Sequence, residues 1–360
     1  MHIPDGYLSP QTSGAFTAVM LPAWYQASRR VQSVVKTRYV PLVAVGAAFS
    51  FVIMMLNVPI PDGTTAHAVG AGLIAVLLGP WAACVAVSVA LLIQALFFGD
   101  GGILAYPVNA FNMALLLPFV AYGVYRLLAR RSGLSSGRRV LAAAAGAYIG
   151  INVAALAAAI EFGVQPTLFH KADGTPLYAP FHLAQTIPAM LIPHLLVAGV
   201  VEAAVTGAVI AYLQRANVPL LRVNAPDVPL TDAEIARRPV RPVVAGLIGV
   251  GVMTLLTPLG LLAPGGAFGE SAPAGLDLHR YGLSAVPDGL QRYSDFWGRA
   301  VLPGYGDGGA WQYLLSAVIG VVAAGLAVAA IAVLLRRRRG TPAPAAAPEP
   351  AVVGAGSEHP

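Results

Sequence analysis

Met1-His2-Ile3-Pro4-Asp5-Gly6 opens the chain, and the rest of the sequence is read outward from these six residues. They lack the form of a secretory leader: no positive charge precedes an apolar run, and no small-residue cleavage site follows one. They have the form of a metal chelate built on a free amino terminus. The amine of Met1, the backbone nitrogen of His2 and one imidazole nitrogen of His2 close two fused small rings around one ion. One further imidazole completes a plane of four nitrogens, a geometry that suits Ni(II) or Cu(II) better than tetrahedral Zn(II). Pro4 fixes the backbone, and Gly6 permits a tight turn that folds the terminus back. Terminal residues are ordinarily poorly ordered, so the chelate reading depends on what the remaining residues supply.

Of 360 residues, 57% are hydrophobic and only 11% charged, and the mean hydropathy is +0.71. This is the composition of an all-α polytopic membrane protein. Cys84, the single cysteine, excludes an intrachain disulfide and a thiolate zinc site. The net charge of +6 does not point to nucleic acid, because the basic residues fall in short clusters between apolar runs, as the positive-inside rule requires. Lys36 and Lys171 are the only lysines, and neither lies in a Gly-rich phosphate loop. The chain therefore carries no Walker-type ATP site.

Nine spans are expected. The first two cover residues 14–28 and 39–57. After a turn-rich loop, His67 starts an apolar run to Phe98, too long for one span of ~20 residues; it is read as two spans turning at Gly79-Pro80, the first short. Further spans cover residues 107–128, 140–160, 181–213, 243–262 and 311–335. Residues 223–242 read as a basic, proline-rich linker, and residues 340–360 as a disordered tail. With the N-terminus outside, the inner segments hold every dense arginine cluster, ending with Arg336-Arg337-Arg338-Arg339. The outer loops hold Asp62, Asp100, Asp173, Glu270, Asp277 and Asp288. This arrangement places the C-terminus in the cytoplasm and Met1, His2 and His67 on one outer side.

Several stretches resemble the CbiM/NikM family, the substrate-binding membrane subunits of energy-coupling-factor transporters for cobalt and nickel. They are Met1 to Gly6, Gly63-Thr64-Thr65-Ala66-His67, Leu78-Gly79-Pro80-Trp81, the run Gln94 to Gly102, and Asn109-Ala110-Phe111-Asn112-Met113. The resemblance covers about residues 1–215. It implies that the metal is held by the amine of Met1, the backbone and ring nitrogens of His2, and the ring of His67. Residues 243–339, with Pro287-Asp288-Gly289-Leu290 in an outer loop between two spans, are similar to the PDGLE module and to the CbiN/NikN accessory subunits. Gln291 stands where that module has its name-giving glutamate. The expected domains are thus 1–222 for metal binding, the linker, the 243–339 module and the tail.

Asp5, Asn57, Gln94, Asn109 and Asn112 lie at or near span ends. They are read either as helix–helix hydrogen bonds or as groups that orient the imidazoles and anchor the terminal loop; the second reading is taken for Asn109 and Asn112, with Asp5 beside them. His194 and Glu202, two turns apart in one span, are intramembrane polar candidates, placed deeper than the metal loops. His170, His182 and His279 read as surface histidines. Gly70, Gly72 and residues 142–146 offer small faces for close packing.

The resemblance implies import of Co(II) or Ni(II) across the cell membrane, cobalt first and destined for cobalamin biosynthesis, with no organic cofactor. A transmembrane coupling (T) subunit and ATPase (A) subunits would supply the energy. The rivals are a nickel-specific importer, a passive channel or carrier, and an intramembrane metalloenzyme. The last lacks His-Glu-x-x-His and paired aspartates on facing spans.

Overall fold

The computed structural model describes residues 1–34, 39–60, 64–235, 240–263, 276–306 and 309–337. Lys36, Arg38, Asp62, Gly63, Glu270, Arg338, Arg339 and the tail after residue 340 lie outside the described residues.

Each of the nine segments expected to span is helical. They are α1 (Pro10–Val34), α2 (Val40–Met54), α3 (Ala71–Leu78), α4 (Pro80–Phe98), α5 (Tyr106–Leu128), α6 (Gly137–Gly163), α7 (Leu183–Ala216), α8 (Pro242–Leu262) and α9 (Ala310–Arg337). From α4 onward, six are long and apolar enough to cross a membrane, and α2 is a shorter apolar helix. The chain is an all-α, multi-pass membrane protein. Among the described residues the only sheet is a two-stranded hairpin pairing Val58–Pro59 with Thr65–Ala66.

The short third span is shorter than the sequence suggests. Eight helical residues rise only about 12 Å, against an apolar membrane layer of about 30 Å. The chain from Thr64 to Gly70 is non-helical, so His67 lies ahead of α3 and not on a helix. The turn between α3 and α4 is where expected: Gly79 takes φ 92° and Pro80 opens the next helix, using glycine for left-handed backbone and proline at a position that needs no N–H.

Small residues let the helices approach. α6 buries Ala142, Ala143, Gly146, Ala147 and Gly150, and it packs against α5 and α7. A Cβ on Gly150 would lie 2.8 Å from the carbonyl oxygen of Leu117 on α5, too close without displacing backbone. The C-terminal pair α8 and α9 lies against α2. Tyr313 donates to the carbonyl of Met55 at 2.6 Å. Leu247, Ile248, Leu255, Leu326 and Leu334 face outward, as lipid-facing residues do where no polar group can be satisfied.

Three of the segments expected to share one side, 79–81, 129–139 and 214–242, meet at one end of the bundle. Asn224 donates to Ala75 at 3.0 Å and accepts from Tyr122 at 3.2 Å. Gln214 donates to the carbonyls of Leu134 and Ser136. At the other end, Met1 meets Thr65, Ile3 meets Gly102, Tyr7 meets Ala179 and Leu290 meets Leu177. The amino terminus is part of that end's packing.

Candidate metal centre

The first six residues fold back into the bundle as a plug. Gly6 has φ +88°, and a Cβ there would lie 2.7 Å from the carbonyl oxygen of Leu290, so the turn depends on glycine twice over. The plug is held by its backbone. Ile3 donates its N–H to Asn109 Oδ1 at 2.8 Å, and its carbonyl accepts from Asn109 Nδ2 at 2.9 Å and Gly102 N at 3.0 Å. Asp5 accepts from Ile103 N and Ala105 N, both at 3.0 Å. It thereby satisfies donors that precede α5, where a carboxylate is favoured. Gly102 gives the plug its clearance: a Cβ there would overlap the Asp5 side chain.

This folding buries the three candidate metal ligands together. Met1, His2 and His67 are 0%, 4% and 1% exposed. The amine of Met1 lies 2.9 Å from His67 Nε2 and also donates to the carbonyl and hydroxyl oxygens of Thr65. The rings of His2 and His67 stack with centroids 4.7 Å apart and planes 26° apart. Two nitrogens on adjacent corners of a square plane, each about 2.0 Å from a metal, are about 2.8 Å apart. The amine–imidazole separation matches that spacing.

Protonation is arranged in the same sense. The Nδ1 of His67 faces the carbonyl oxygen of Ala68 at 3.1 Å. A carbonyl only accepts, so Nδ1 carries the proton and Nε2 keeps its lone pair toward Met1. Burial, followed by the Met1 amine and His2, holds the His67 ring well below its ordinary pKa. Burial also lowers that of His2, against the pull of Asp100. Both rings are neutral near pH 7, the form in which imidazole binds metals. His2 Nδ1, the ring nitrogen that a chelate with the His2 backbone nitrogen would use, is buried without a hydrogen-bond partner. It sits 3.3 Å from Asp100 Oδ1.

Among the described residues no cluster of three or more His, Cys, Asp or Glu side chains could hold a metal. The candidate set of Met1, His2 and His67 draws on a terminal amine and has only two such side chains.

The remaining sequence candidates divide. Asp5 and Asn109 touch the plug. Asn112, one turn beyond Asn109, instead donates to Glu161 at 2.6 Å. His194 and Glu202, read from sequence as lying away from the metal loops, are brought to them. Glu202 accepts from Val69 N at 2.7 Å, Gly70 N at 2.8 Å and Gly72 N at 3.2 Å, so it clamps the backbone just after His67. His194 lies within electrostatic reach of Met1 and His67. Its Nδ1 donates to Met190 at 2.6 Å, and its Nε2 is buried without a partner. Thr65, Asp100 and Tyr305 were not singled out as site residues. Gln94 and Asp100 fall in one of the stretches that carry the resemblance, whereas nothing near Tyr305 in sequence distinguishes it.

The C-terminal pair contributes directly. Tyr305 donates to Asp100 Oδ2, and Gln94 Nε2 lies 3.1 Å from its hydroxyl. Trp297 donates to Leu96 at 3.0 Å, and Leu302 N to Phe97 at 2.9 Å. A cavity of about 680 Å³ opens between this loop and the plug, lined by Asp5, Asp100, Asp295 and Tyr305 among others.

Comparison with known proteins gives a consistent picture. The model of the family described as "Cobalt uptake substrate-specific transmembrane region" matches residues 2–220. A "Fused nickel transport protein NikMN" of Rhodobacter capsulatus is 45% identical over 359 residues, covering 94% of this chain and 100% of that protein. A "Probable fused nickel transport protein LarMN" of Lactiplantibacillus plantarum is 50% identical over 275 residues, 76% of this chain and 78% of that protein. A crystal structure of a truncated transition metal transporter superposes with a TM-score of 0.57 at 56% identity, covering 60% of this chain and 99% of that one.

Proposed function

Because this chain belongs to the CbiM family of cobalt-uptake transmembrane regions, with a fused NikN-like module, we propose that it is the substrate-binding membrane subunit of an ATP-driven energy-coupling-factor transporter for Ni(II) or Co(II). Its relatives are nickel and cobalt transport proteins. In this reading residues 1–222 bind the ion, residues 223–242 link, and residues 243–339 form the accessory module. The ion is held by the Met1 amine, the His2 backbone nitrogen and Nδ1, and His67 Nε2. Asp5 and Asn109 hold the plug, and Glu202 holds the His67 segment. The arginine-rich end faces the cytoplasm and the site faces outward across the cell membrane. A transmembrane coupling subunit and ATPases supply the energy, and this chain performs no catalysis.

The observation that carries this reading is the buried Met1 amine 2.9 Å from His67 Nε2, beside the stacked His2 ring. Four nitrogens in a plane favour Ni(II) over ions that prefer oxygen or a tetrahedron. The relatives with the fused architecture carry nickel in their names. We therefore place nickel ahead of cobalt, reversing the order set by the first module alone.

The test is uptake of radioactive Ni(II) by cells expressing this chain with and without the coupling and ATPase subunits. The expected result is uptake that requires the ATPases and is suppressed by excess Co(II). Equal uptake by this chain alone would make it a passive carrier.

A further inference from the structure

A closed circuit of polar groups surrounds the His2 ring, and its direction follows from which groups can donate. The hydroxyl of Tyr305 is bonded to a carboxylate oxygen of Asp100. A carboxylate only accepts, so the phenol donates. The same phenol oxygen lies 3.1 Å from Gln94 Nε2. Its hydrogen is already committed, so it accepts there, and the Gln94 amide group must be the donor. That fixes which way Gln94 faces: its oxygen Oε1 points back to His2, 3.2 Å from Nε2. An amide oxygen only accepts, so His2 donates from Nε2. In a neutral imidazole the other nitrogen is then bare. That nitrogen, Nδ1, has no hydrogen-bond partner although it is buried. The Asp100 oxygen facing it at 3.3 Å, Oδ1, is likewise unpartnered. Two buried lone pairs facing each other describe a place prepared for a cation.

We propose that Tyr305, supplied by the C-terminal module, is a positioning residue that acts through Gln94 to fix the Nε2–H tautomer of His2 and leave Nδ1 bare for a transition-metal cation. The proposal rests on the reading of Met1, His2 and His67 as the metal chelate. The module thus enters the chemistry of a site whose ligands all belong to the first 67 residues.

The backbone around Tyr305 is consistent with a residue held for a purpose. Tyr305 has φ 64°, left-handed backbone that a bulky non-glycine residue rarely adopts, and it stands between Gly304 at 58° and Gly306 at 90°. Such conformations persist only where surrounding contacts over-determine them. The contacts are present. The Tyr305 ring stacks on Phe98 with centroids 4.9 Å apart, and its carbonyl accepts from Ser316 Oγ at 2.9 Å. The Leu302 N–H is tied to Phe97 at 2.9 Å. The ring packing is therefore separable from the hydroxyl, and Tyr305→Phe removes the second while keeping the first.

The experiment uses the full chain purified in detergent micelles with ¹⁵N-labelled histidine. The His2 signals are assigned by their loss in His2→Ala. In the metal-free parent, the His2 nitrogen shifts should report a single Nε2–H tautomer. In Tyr305→Phe, Gln94 is free to turn over, and the shifts should move toward a mixture of tautomers. Calorimetry with Ni(II) should show a loss of affinity of about 10–100-fold, the range for groups that orient a ligand without touching the metal. Because Tyr305 acts through Gln94, the double variant Tyr305→Phe/Gln94→Ala should bind no more weakly than Gln94→Ala alone. A parent His2 carrying its proton on Nδ1, an unchanged tautomer in Tyr305→Phe, or losses that add in the double variant would each overturn the proposal. A parent with the Nε2–H tautomer that binds neither Ni(II) nor Co(II) would refute the chelate reading, and with it the purpose assigned to the bare Nδ1; a tautomer shift in Tyr305→Phe would then uphold only the positioning of His2 by Tyr305.

Discussion

His67→Ala should remove high-affinity Ni(II) binding from a protein that still inserts, purifies and unfolds as the parent does. Groups that merely orient a metal ligand cost 10–100-fold in affinity when removed, so loss of a ligand itself should weaken binding by more than about a hundredfold. The ring brings an imidazole nitrogen to the Met1 amine from a different part of the chain, at 2.9 Å. Without it the chelate holds three nitrogens from a single short segment. His2→Ala should do at least as much, because it removes Nδ1 and opens the second small ring. Calorimetric titration of the purified variants checks both, and parent-like binding by either would remove that residue from the ligand set.

Glu202→Ala should produce the largest loss of stability of any single carboxylate truncation at this end of the bundle. The carboxylate accepts from three backbone N–H groups, those of Val69, Gly70 and Gly72. All three lie between His67 and the first turns of α3, in a site from which water is excluded. Each buried donor left unsatisfied costs about 1–3 kcal/mol, so three give a total of about 3–9 kcal/mol. Glu202→Gln keeps one acceptor oxygen for Val69 and Gly70 and should cost about 1–2 kcal/mol. The readout is the thermal unfolding midpoint in detergent, with Ni(II) affinity measured on the same samples. Affinity should fall with stability, because the clamp sets the backbone from which His67 projects. An alanine variant as stable as the parent would show that these N–H groups find other partners.

The helices were legible because their signal is long and repeated. Apolar runs closed at one end by arginines locate an end of each of α5 to α9, and Gly79-Pro80 announces the turn between α3 and α4. The length of α3 was not legible. His67, Ala68 and Val69 continue an apolar run without interruption, and composition alone does not show that this run starts as non-helical backbone pinned by a glutamate 133 residues away. The same long separation hid the role of Glu202, which as a sequence feature is only a charge in a span.

The proposed chelate could be read from the sequence for a local reason, since its small rings involve two consecutive residues. What holds the terminus was read only in part. Asp5 and Asn109 were expected to anchor it, and they do touch it through bonds that span about a hundred residues, 106 between Ile3 and Asn109. Asn112 carries the same amide three residues on, but it faces Glu161. Tyr305 reaches Gln94 across 211 residues, from a loop whose sequence offers glycines but no sign of a partner.

The central claim is that the terminal amine is a metal ligand, and one titration tests it most directly. The protein is purified with a cleavable extension ahead of Met1, and Ni(II) is titrated by calorimetry before and after cleavage leaves Met1 first. Both samples have the same histidines and the same membrane helices. The extended protein should bind no Ni(II) with high affinity, and cleavage should restore one tight site per chain. Equal affinity in the two samples would mean that the amine is not a ligand, and the metal centre described here would have to be built from other groups.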